Sequence, residues 1–385
     1  MSQALPARPD LDWLRKTAKQ QLHELRKDNP GAKLATAQLS LARQYGFRSW
    51  RALKAEVDRL QTGEQSIASL LRAIGTGQID TVRAMLAAEP ELVNAVGPNP
   101  FWGGRSQPLH VSIYTKRRDI FDLLIAAGAD VNGINEHNGS PLMFSIHWDQ
   151  PEMRRALLER GATVGLVEAL MLEDDAAVEK LLRPGKSALP AIAPNNGSIL
   201  AFARTPYAID RLLELGVERD RKDRWGGTPI ERMSRLGPRG QPLVQHMLKR
   251  GAAIAPQDYA SMGDKNTLAA LIAAEPAVAR SDAVMMGAVE FGHHDLAQWL
   301  LAQGGNVNAR TDAQSRHTAL HSAAWNGDLR MATLLVEAGA DVNARDHQYD
   351  NTPAGWAKVA IEVTNNPDAK DVADYLARLQ SQGVP

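Results

Sequence analysis

Two nearly identical stretches, Ala-Ala-Gly-Ala-Asp-Val-Asn at 126–132 and Glu-Ala-Gly-Ala-Asp-Val-Asn-Ala at 337–344, identify a repeat in this chain. Weaker copies lie between them: Arg-Gly-Ala-Thr-Val at 160–164, Arg-Gly-Ala-Ala-Ile at 250–254 and Gln-Gly-Gly-Asn-Val-Asn-Ala at 303–309. Self-similarity at a spacing of a few tens of residues is the signature of a repeat array. The copies therefore predict a chain built from stacked units.

The spacing of the copies indicates that the units differ in length. The Gly of each copy serves as a register mark, and these residues are Gly128, Gly161, Gly216, Gly251, Gly304 and Gly339. Their successive intervals are 33, 55, 35, 53 and 35 residues. The two long intervals exceed one unit and fall short of two. Each therefore predicts one abbreviated unit, at 166–190 and at 256–280, and we expect the curvature of the array to change there.

Each full unit has the pattern of two short helices. Apolar side chains recur at helical spacing in 318–324 and 329–337, and Asn-Gly-Asp at 326–328 supplies a tight turn between them. Thr318 is placed as a helix N-cap, and Gly339 suits the left-handed position that ends a helix. Other units begin with Pro at the first helical position, where its missing amide hydrogen would lack a partner anyway.

The full units resemble the ankyrin repeat. The resemblance rests on Thr-Ala-Leu-His at 318–321 with Gly-Ala-Asp-Val-Asn at 339–343, and on Gln-Pro-Leu-His at 107–110 in an earlier unit. It implies an all-α solenoid of αα-hairpins and finger loops over residues 66–385, with about nine to ten units. The resemblance further implies that the histidine of each tetrapeptide makes structural hydrogen bonds between units.

Residues 1–62 are predicted to be a separate, basic helical module. They contain 12 Lys and Arg against six Asp and Glu, whereas the remainder has the opposite imbalance. The segment resembles a short three-helix module that precedes ankyrin repeats in bacterial proteins. We expect it to cap the first repeat or to dock a partner. A helix-turn-helix that directs Arg48, Arg51 and Lys54 toward nucleic acid is the less favoured alternative.

Composition narrows the chemistry and the compartment. The chain has no cysteine, which excludes disulfides, thiolate metal sites and a thiol nucleophile and fits a reducing compartment. The first ten residues lack the apolar core of a secretory signal. No stretch approaches the roughly 20 apolar residues of a membrane helix. We therefore expect a cytoplasmic protein that does not enter a membrane.

No residue pattern predicts catalysis. Pro-Gly-Lys-Ser at 184–187 lacks the first Gly of a phosphate loop, because residue 180 is Lys. His317 precedes the helix that carries His321, so the two are not expected to share a face. Asp-His-Gln-Tyr-Asp at 346–350 falls in a finger loop, where Asp ordinarily stabilises the turn. We expect no catalytic residue, no bound metal and no cofactor.

A binding surface is predicted where the first helix of each unit ends. Large or charged side chains at that concave position, or one residue later, exceed what repeat filler requires. The loop 97–107 is longer than a finger loop needs and adds aromatic and basic side chains. The candidate binding residues from both features are Phe101, Trp102, Arg105, Tyr114, His147, Trp148, Arg235, Glu290, Phe291 and Trp325.

The sequence therefore predicts a non-catalytic scaffold that binds another protein through the concave groove and the finger loops. The alternative is a small-molecule-binding protein or an enzyme, with its site near the 97–107 loop and units two and three. A protein partner would need an extended, shallow groove. A small ligand would need an enclosed pocket of roughly 300–1,000 Å3.

Overall fold

The structure is a computed structural model that describes residues 5–6, 9–99, 101, 104–191, 193–224, 226–312 and 315–382. This part of the chain contains 21 α-helices. They are α1 (Leu11–Asp28), α2 (Leu34–Gln44), α3 (Trp50–Gly75), α4 (Ile79–Ala88), α5 (Pro108–Tyr114), α6 (Arg118–Ala126), α7 (Pro141–His147), α8 (Pro151–Glu159), α9 (Leu166–Met171), α10 (Asp175–Leu182), α11 (Pro206–Glu214), α12 (Pro229–Ser234), α13 (Gln241–Lys249), α14 (Pro256–Ser261), α15 (Lys265–Ala274), α16 (Asp282–Glu290), α17 (His294–Ala302), α18 (Ala319–Asn326), α19 (Leu329–Glu337), α20 (Pro353–Thr364) and α21 (Ala369–Ser381).

Short elements complete the described chain. Two short strands, β1 (Gly97–Pro98) and β2 (Arg105–Ser106), pair antiparallel as a hairpin. The 3-10 helices span Pro90–Asn94, Gly185–Ala188, Pro194–Asn196, Ile199–Phe202, Gly237–Arg239 and Pro276–Arg280. The prediction of an all-α repeat fold is confirmed.

The helices from α3 onward form two layers. The inner layer contains the C-terminal part of α3, then α5, α7, α9, the 3-10 helix Ile199–Phe202, α12, α14, α16, α18 and α20, each in contact with the next. The outer layer contains α4, α6, α8, α10, α11, α13, α15, α17, α19 and α21, which pack behind the inner helices. This arrangement is a solenoid of helix pairs with a concave inner face.

Local signals in the sequence set the ends of these helices. Ser140 Oγ accepts the Met143 amide at 2.9 Å and caps α7. Thr228 and Glu231 form a capping box at α12, with the Thr228 amide donating to Glu231 Oε2 at 2.9 Å. Gly339 ends α19 with φ +95°, a backbone conformation that glycine adopts without a steric penalty.

Apolar burial joins the two layers along the array. Three buried clusters lie within it, and their largest fully buried side chains include Tyr114, Phe121 and Leu124. A fourth, smaller cluster holds α1, α2 and the first turns of α3 together, with Leu14, Leu41 and Leu53 at its centre. The first segment therefore has a small core of its own.

Helix α3 connects this segment to the array without a break. It runs from Trp50 to Gly75 and thus passes through residues 62–66, where the sequence analysis placed the change from module to repeats. Its C-terminal half contributes Leu70, Leu71 and Ile74 to the first cluster of the array. The segment and the first repeat therefore share one helix, which no flexible linker interrupts.

Both ranges that were predicted to be abbreviated contain an inner and an outer helix. In 166–190 the pair is α9 and α10, and in 256–280 it is α14 and α15. The inner helices α9 and α14 are only six residues long. Within the described residues, no helix is both long enough and apolar enough to cross a membrane.

Candidate functional site

The hairpin formed by β1 and β2 is fastened to α3 by an ion pair. Arg105 donates to both carboxylate oxygens of Glu64, at 3.0 and 2.6 Å, and to the Val96 carbonyl at 2.6 Å. This bidentate contact raises the pKa of Arg105, chiefly through the hydrogen bond to Glu64. Arg105 was predicted to contact a ligand. The structure instead places its guanidinium in an internal contact that positions the loop.

The loop also folds back over the end of α5. Asn99 Oδ1 accepts the Phe101 amide at 3.0 Å and the Tyr114 hydroxyl at 2.9 Å. Tyr114 is only 1% exposed, and burial raises the pKa of its hydroxyl. Phe101 lies against Gly75, where an added Cβ would overlap its ring. The expectation that Tyr114 lines an open groove is therefore wrong, because the hairpin covers it.

Trp102 lies outside the described residues, so its predicted role in binding stays a prediction. The next unit along does present side chains to the groove. Trp148 lies 6.2 Å from the Tyr114 ring and 5.3 Å from the His147 ring, measured between centroids. His147 is exposed at the surface. Protein atoms nevertheless surround much of its ring, and this desolvation lowers the pKa of His147. The positive charges of Arg204 and Arg232 lower it further.

Arg235, Glu290 and Phe291 come together across the unit of α14 and α15. Arg235 belongs to the end of α12 and Glu290 to the end of α16, and α14 lies between these helices. Arg235 Nη2 nevertheless reaches Glu290 Oε2 at 3.4 Å, and its guanidinium carbon lies 6.0 Å from the Phe291 ring centroid. Three residues predicted one by one thus form a single group.

The Arg235–Glu290 pair is asymmetric in its contact with water. The Arg235 side chain is 51% exposed, and that of Glu290 is 24% exposed. Burial raises the pKa of Glu290, and the charge of Arg235 partly opposes this shift. The arrangement leaves a cation at the surface beside an aromatic ring, with a carboxylate behind it.

Trp325 belongs to a third group, which also contains a tryptophan that the sequence analysis missed. The Trp325 ring lies 5.8 Å from that of Trp356 in an edge-to-face arrangement. His317 and His321 also contact Trp356, at 4.7 and 5.3 Å between centroids. His317 precedes α18, as was predicted, yet both histidines contact the same ring. The helix α20 of the next unit, which α18 alone could not reveal, brings them to one ring.

The position of Trp356 in its unit was a signal that could have identified it. It lies three residues after Pro353, as Phe144 lies three residues after Pro141. Both aromatic rings pack against the side chain that ends the preceding inner helix. A search that aligned this position, as well as the helix ends, would have found both rings.

The finger loop 346–350 has the structural role that was predicted for it. Asp346 is 2% exposed and accepts hydrogen bonds from the amides of Gln348, Tyr349 and Asn351 and from Trp356 Nε1. Burial alone would raise the pKa of Asp346, but these hydrogen bonds outweigh it and lower the pKa. The carboxylate is thus occupied by the turn and by the next helix.

Other potential sites have little support in the described part of the chain. The 184–187 segment forms part of a 3-10 helix in which Ser187 Oγ donates to the Pro184 carbonyl at 2.9 Å. Within the described residues, no group of three or more His, Asp or Glu side chains is placed to hold a metal ion. Two shallow concavities of about 430 and 390 Å3 lie on outer helices, beside Tyr375 and beside Arg219.

The fold and this row of side chains define a class of protein: a helical repeat scaffold with a concave surface. A family model described as "Ankyrin repeats (3 copies)" matches residues 70–168 and 257–346. The chain therefore belongs to the ankyrin-repeat proteins. Ankyrin repeats generally mediate protein–protein interaction. The matches lie on both sides of the central units, and residues 1–69 lie outside them.

Two curated relatives are similar to much of this chain. The ankyrin repeat and KH domain-containing protein mask-1 of Caenorhabditis elegans is 26% identical over 305 residues, which cover 75% of this chain and 10% of that protein. The B-cell lymphoma 3 protein homolog of Mus musculus is 26% identical over 246 residues, covering 64% and 38% respectively. The chain thus spans a minor part of each relative's length, and the similarity concerns the repeats.

Proposed function

We propose that this chain is a non-catalytic scaffold that binds a protein partner through its concave groove. The observation that carries the proposal is the row of partly exposed aromatic and charged side chains along the ends of successive inner helices. The row consists of His147, Trp148, Arg235, Glu290, Phe291 and Trp325.

The chemistry of this row suits a polypeptide ligand. Aromatic and Arg side chains are enriched at the centres of protein interfaces, where they combine large contact area with directional bonding. Phe291 with Arg235 and Trp325 with Trp356 each provide such a combination at an inner helix end. The groups belong to different units, so a ligand that touches all of them has to be extended.

The alternative of a small-molecule site at the 97–107 loop is less favoured, because two residues there are engaged in contacts within the protein. Arg105 is paired with Glu64, and Tyr114 is buried against Asn99. A ligand there would have to displace contacts that hold the loop in place. For this reason we favour the protein-binding role.

A paired capture experiment tests the proposal. The groove variant Arg235→Ala/Phe291→Ala/Trp325→Ala is compared with the wild-type chain as bait in extract from the native cell, with quantitative mass spectrometry as the readout. For a partner identified in this way, we expect binding of purified components to weaken at least tenfold, because truncating interface aromatic and Arg side chains often costs about 2 kcal/mol or more.

A matched control variant carries the same number of truncations on the outer helices. Leu158→Ala/Tyr207→Ala/Arg330→Ala removes side chains from α8, α11 and α19 that are well exposed. It should retain every partner that the wild-type chain captures. Circular dichroism must first show that both variants keep the wild-type melting profile. Equal capture by the groove variant and the wild-type chain would refute the proposal.

A further inference from the structure

The two ends of the repeat array are joined by one arginine. Arg117, in the turn between α5 and α6, donates from Nη2 to the Glu362 carbonyl at 2.6 Å and from Nε to the Gly75 carbonyl at 3.2 Å. Glu362 lies in the last turn of α20, and Gly75 ends α3. One guanidinium thus contacts the first, second and last units of the array.

The surroundings of Arg117 are shaped for this contact. Gly77 leaves room for the guanidinium, since a Cβ at that position would stand 3.1 Å from its central carbon. Burial lowers the pKa of Arg117, with Asp119 opposing the shift. The helix α20 has 12 residues, whereas α5 and α7 have seven each, and this extra length carries Glu362 to the seam.

The contact closes a complete circle of inner helices. Each of the ten inner elements contacts the next, and the last, α20, contacts the first, α3. Contacts also join units that are not neighbours in the array. Arg235 reaches Glu290 across α14, and the finger loops of Arg224 and His137 meet across the units between them, at 2.7 Å from Nη1 to Nδ1.

We infer that the array is a closed ring whose bore admits a single polypeptide segment and excludes a folded domain. Neighbouring helix axes lie about 9 Å apart, so ten of them on a circle give a diameter of about 29 Å between opposite axes. Subtracting one helix diameter of about 11 Å leaves a bore of at most about 18 Å, which the contact between Arg224 and His137 narrows on the finger-loop side.

This width decides which partner fits. A single helix with its side chains is about 10–12 Å across and fits the bore. A folded domain of about 100 residues has a radius of gyration of about 13 Å, hence a diameter of about 33 Å, and does not fit. Resting on the proposed function, the inference identifies the partner's binding element as one helical or extended segment that enters along the ring axis.

Closure is tested on the full chain by distance measurement between spin labels. The chain has no cysteine, so Arg72→Cys and Lys358→Cys place one label on α3 and one on α20 without background. A closed ring gives a narrow distribution below about 30 Å, whereas an open array separates its ends by several unit spacings of about 9 Å each. Labels at Gln303→Cys and Glu337→Cys, on neighbouring units away from the seam, provide the control pair.

The seam itself is tested with Arg117→Ala in the first labelled pair. Loss of both charge-assisted hydrogen bonds should raise the open fraction at least tenfold, seen as a long-distance component. The matched control Arg118→Ala removes the neighbouring arginine, whose partners Asp122 and Glu152 lie away from the seam. Long distances in the wild-type chain overturn the closed ring, and equal distributions for the two arginine variants overturn the role of Arg117.

The size limit is tested by thiol reactivity. A single cysteine replaces His147 inside the groove or Glu159 on the outer helix α8. N-ethylmaleimide should modify both positions, whereas a maleimide carried on a small folded protein should react with the His147→Cys chain at least tenfold more slowly than with the Glu159→Cys chain. Equal rates of the bulky reagent at the two positions overturn the size limit.

The two proposals fail in different experiments. The distance and reactivity measurements contain no partner, so an open array would leave binding by the concave face intact. Conversely, the spin labels could show a closed ring while the groove variant still captures every partner. The ring geometry would then stand, and the proposed binding role of the groove would be refuted. A synthetic peptide of the captured partner's contact segment should bind the ring as tightly as the whole partner does.

Discussion

The unit of α5 and α6 and the unit of α18 and α19 contain the nearly identical stretches of the sequence, yet they present different surfaces. Both bury a histidine that bridges to the following unit. His110 Nε2 lies 2.9 Å from the Gly139 carbonyl, and His321 Nε2 lies 3.0 Å from the Asn351 carbonyl. Each histidine thus adds a hydrogen bond to a finger-loop carbonyl that also accepts an amide of its own loop, from Asn135 and from Asp346 respectively.

The aromatic packing of the two units also corresponds. The rings of His110 and Phe144 lie 5.0 Å apart, and those of His321 and Trp356 lie 5.3 Å apart, both edge-to-face. At the end of the inner helix, Tyr114 contacts Phe144 as Trp325 contacts Trp356. The repeat thus conserves an arrangement of rings between units as well as a backbone shape.

The difference lies in what covers these rings and in the cap before each histidine. The hairpin buries Tyr114, whereas Trp325 stays partly exposed. Thr318 Oγ1 lies 2.7 Å from His321 Nδ1, whereas His110 Nδ1 is buried without a hydrogen-bond partner in the described structure. One repeat frame therefore yields a closed surface or an open one, depending on a short insertion.

The largest effect is expected from removing the two bridging histidines. His321→Ala should cost about 3 kcal/mol of local stability, and His110→Ala about 1 kcal/mol less because His110 has fewer hydrogen bonds. Hydrogen exchange resolved by unit measures both, since repeat arrays unfold unit by unit. Equal losses in the two units would show that the Thr318 hydroxyl contributes nothing.

Acid is expected to destabilise both units, with a somewhat smaller effect. Burial lowers the pKa of His110 to about 4 and that of His317 to about 4. Both side chains stay neutral in the folded protein, while the unfolded chain takes up protons below about pH 6.5, so stability is lost as the pH falls from 6.5 toward 4. Each residue should account for roughly 2 kcal/mol at pH 5.

Urea unfolding between pH 7.5 and 4.5 measures this loss. The variant His110→Gln removes one titrating group and keeps a donor for the Gly139 carbonyl, so it should reduce the stability lost on acidification to pH 5 by roughly 2 kcal/mol. An unchanged pH profile in this variant would mean that His110 does not contribute to the acid sensitivity.

The smallest effect is a gain in stability when the N-cap residue of α5 is replaced by the threonine that caps α18. Gln107→Thr places a hydroxyl where Thr318 stands in the other unit and supplies the missing partner of His110 Nδ1. The gain should be about 1 kcal/mol, because Gln107 loses only a long hydrogen bond of 3.4 Å to the Asn94 carbonyl. Gln107→Val, of similar shape to threonine without the hydroxyl, is the control, and equal midpoints for the two variants in urea would contradict the mechanism.

Much of the fold was predictable because its signals are local. Caps such as Ser140 and the left-handed Gly339 act within one turn of a helix, so they are legible in the sequence. The uninterrupted α3 was not foreseen, since the change in composition near residue 62 coincides with no change in backbone conformation.

The candidate site was predictable only in part. Arg235, Glu290 and Phe291 were each predicted separately as binding residues, but their contact depends on how α12 and α16 pack on either side of α14. Tyr114 and Arg105 were predicted to contact a ligand, yet Asn99 and Glu64 engage them from other elements. Contacts between units have no fixed spacing along the chain, and a pattern within one unit does not report them.

The sequence by itself determined that the chain stacks helix pairs and where most of those helices begin and end. Those features follow from caps, turn glycines and helical periodicity, which act over a few residues. Only the tertiary structure decided which aromatic side chains stay accessible and that Arg117 joins both ends of the array. Those outcomes depend on the total curvature of the array, which is the sum of the angles between ten successive inner elements. Every unit contributes to that sum, so no single stretch of sequence encodes it.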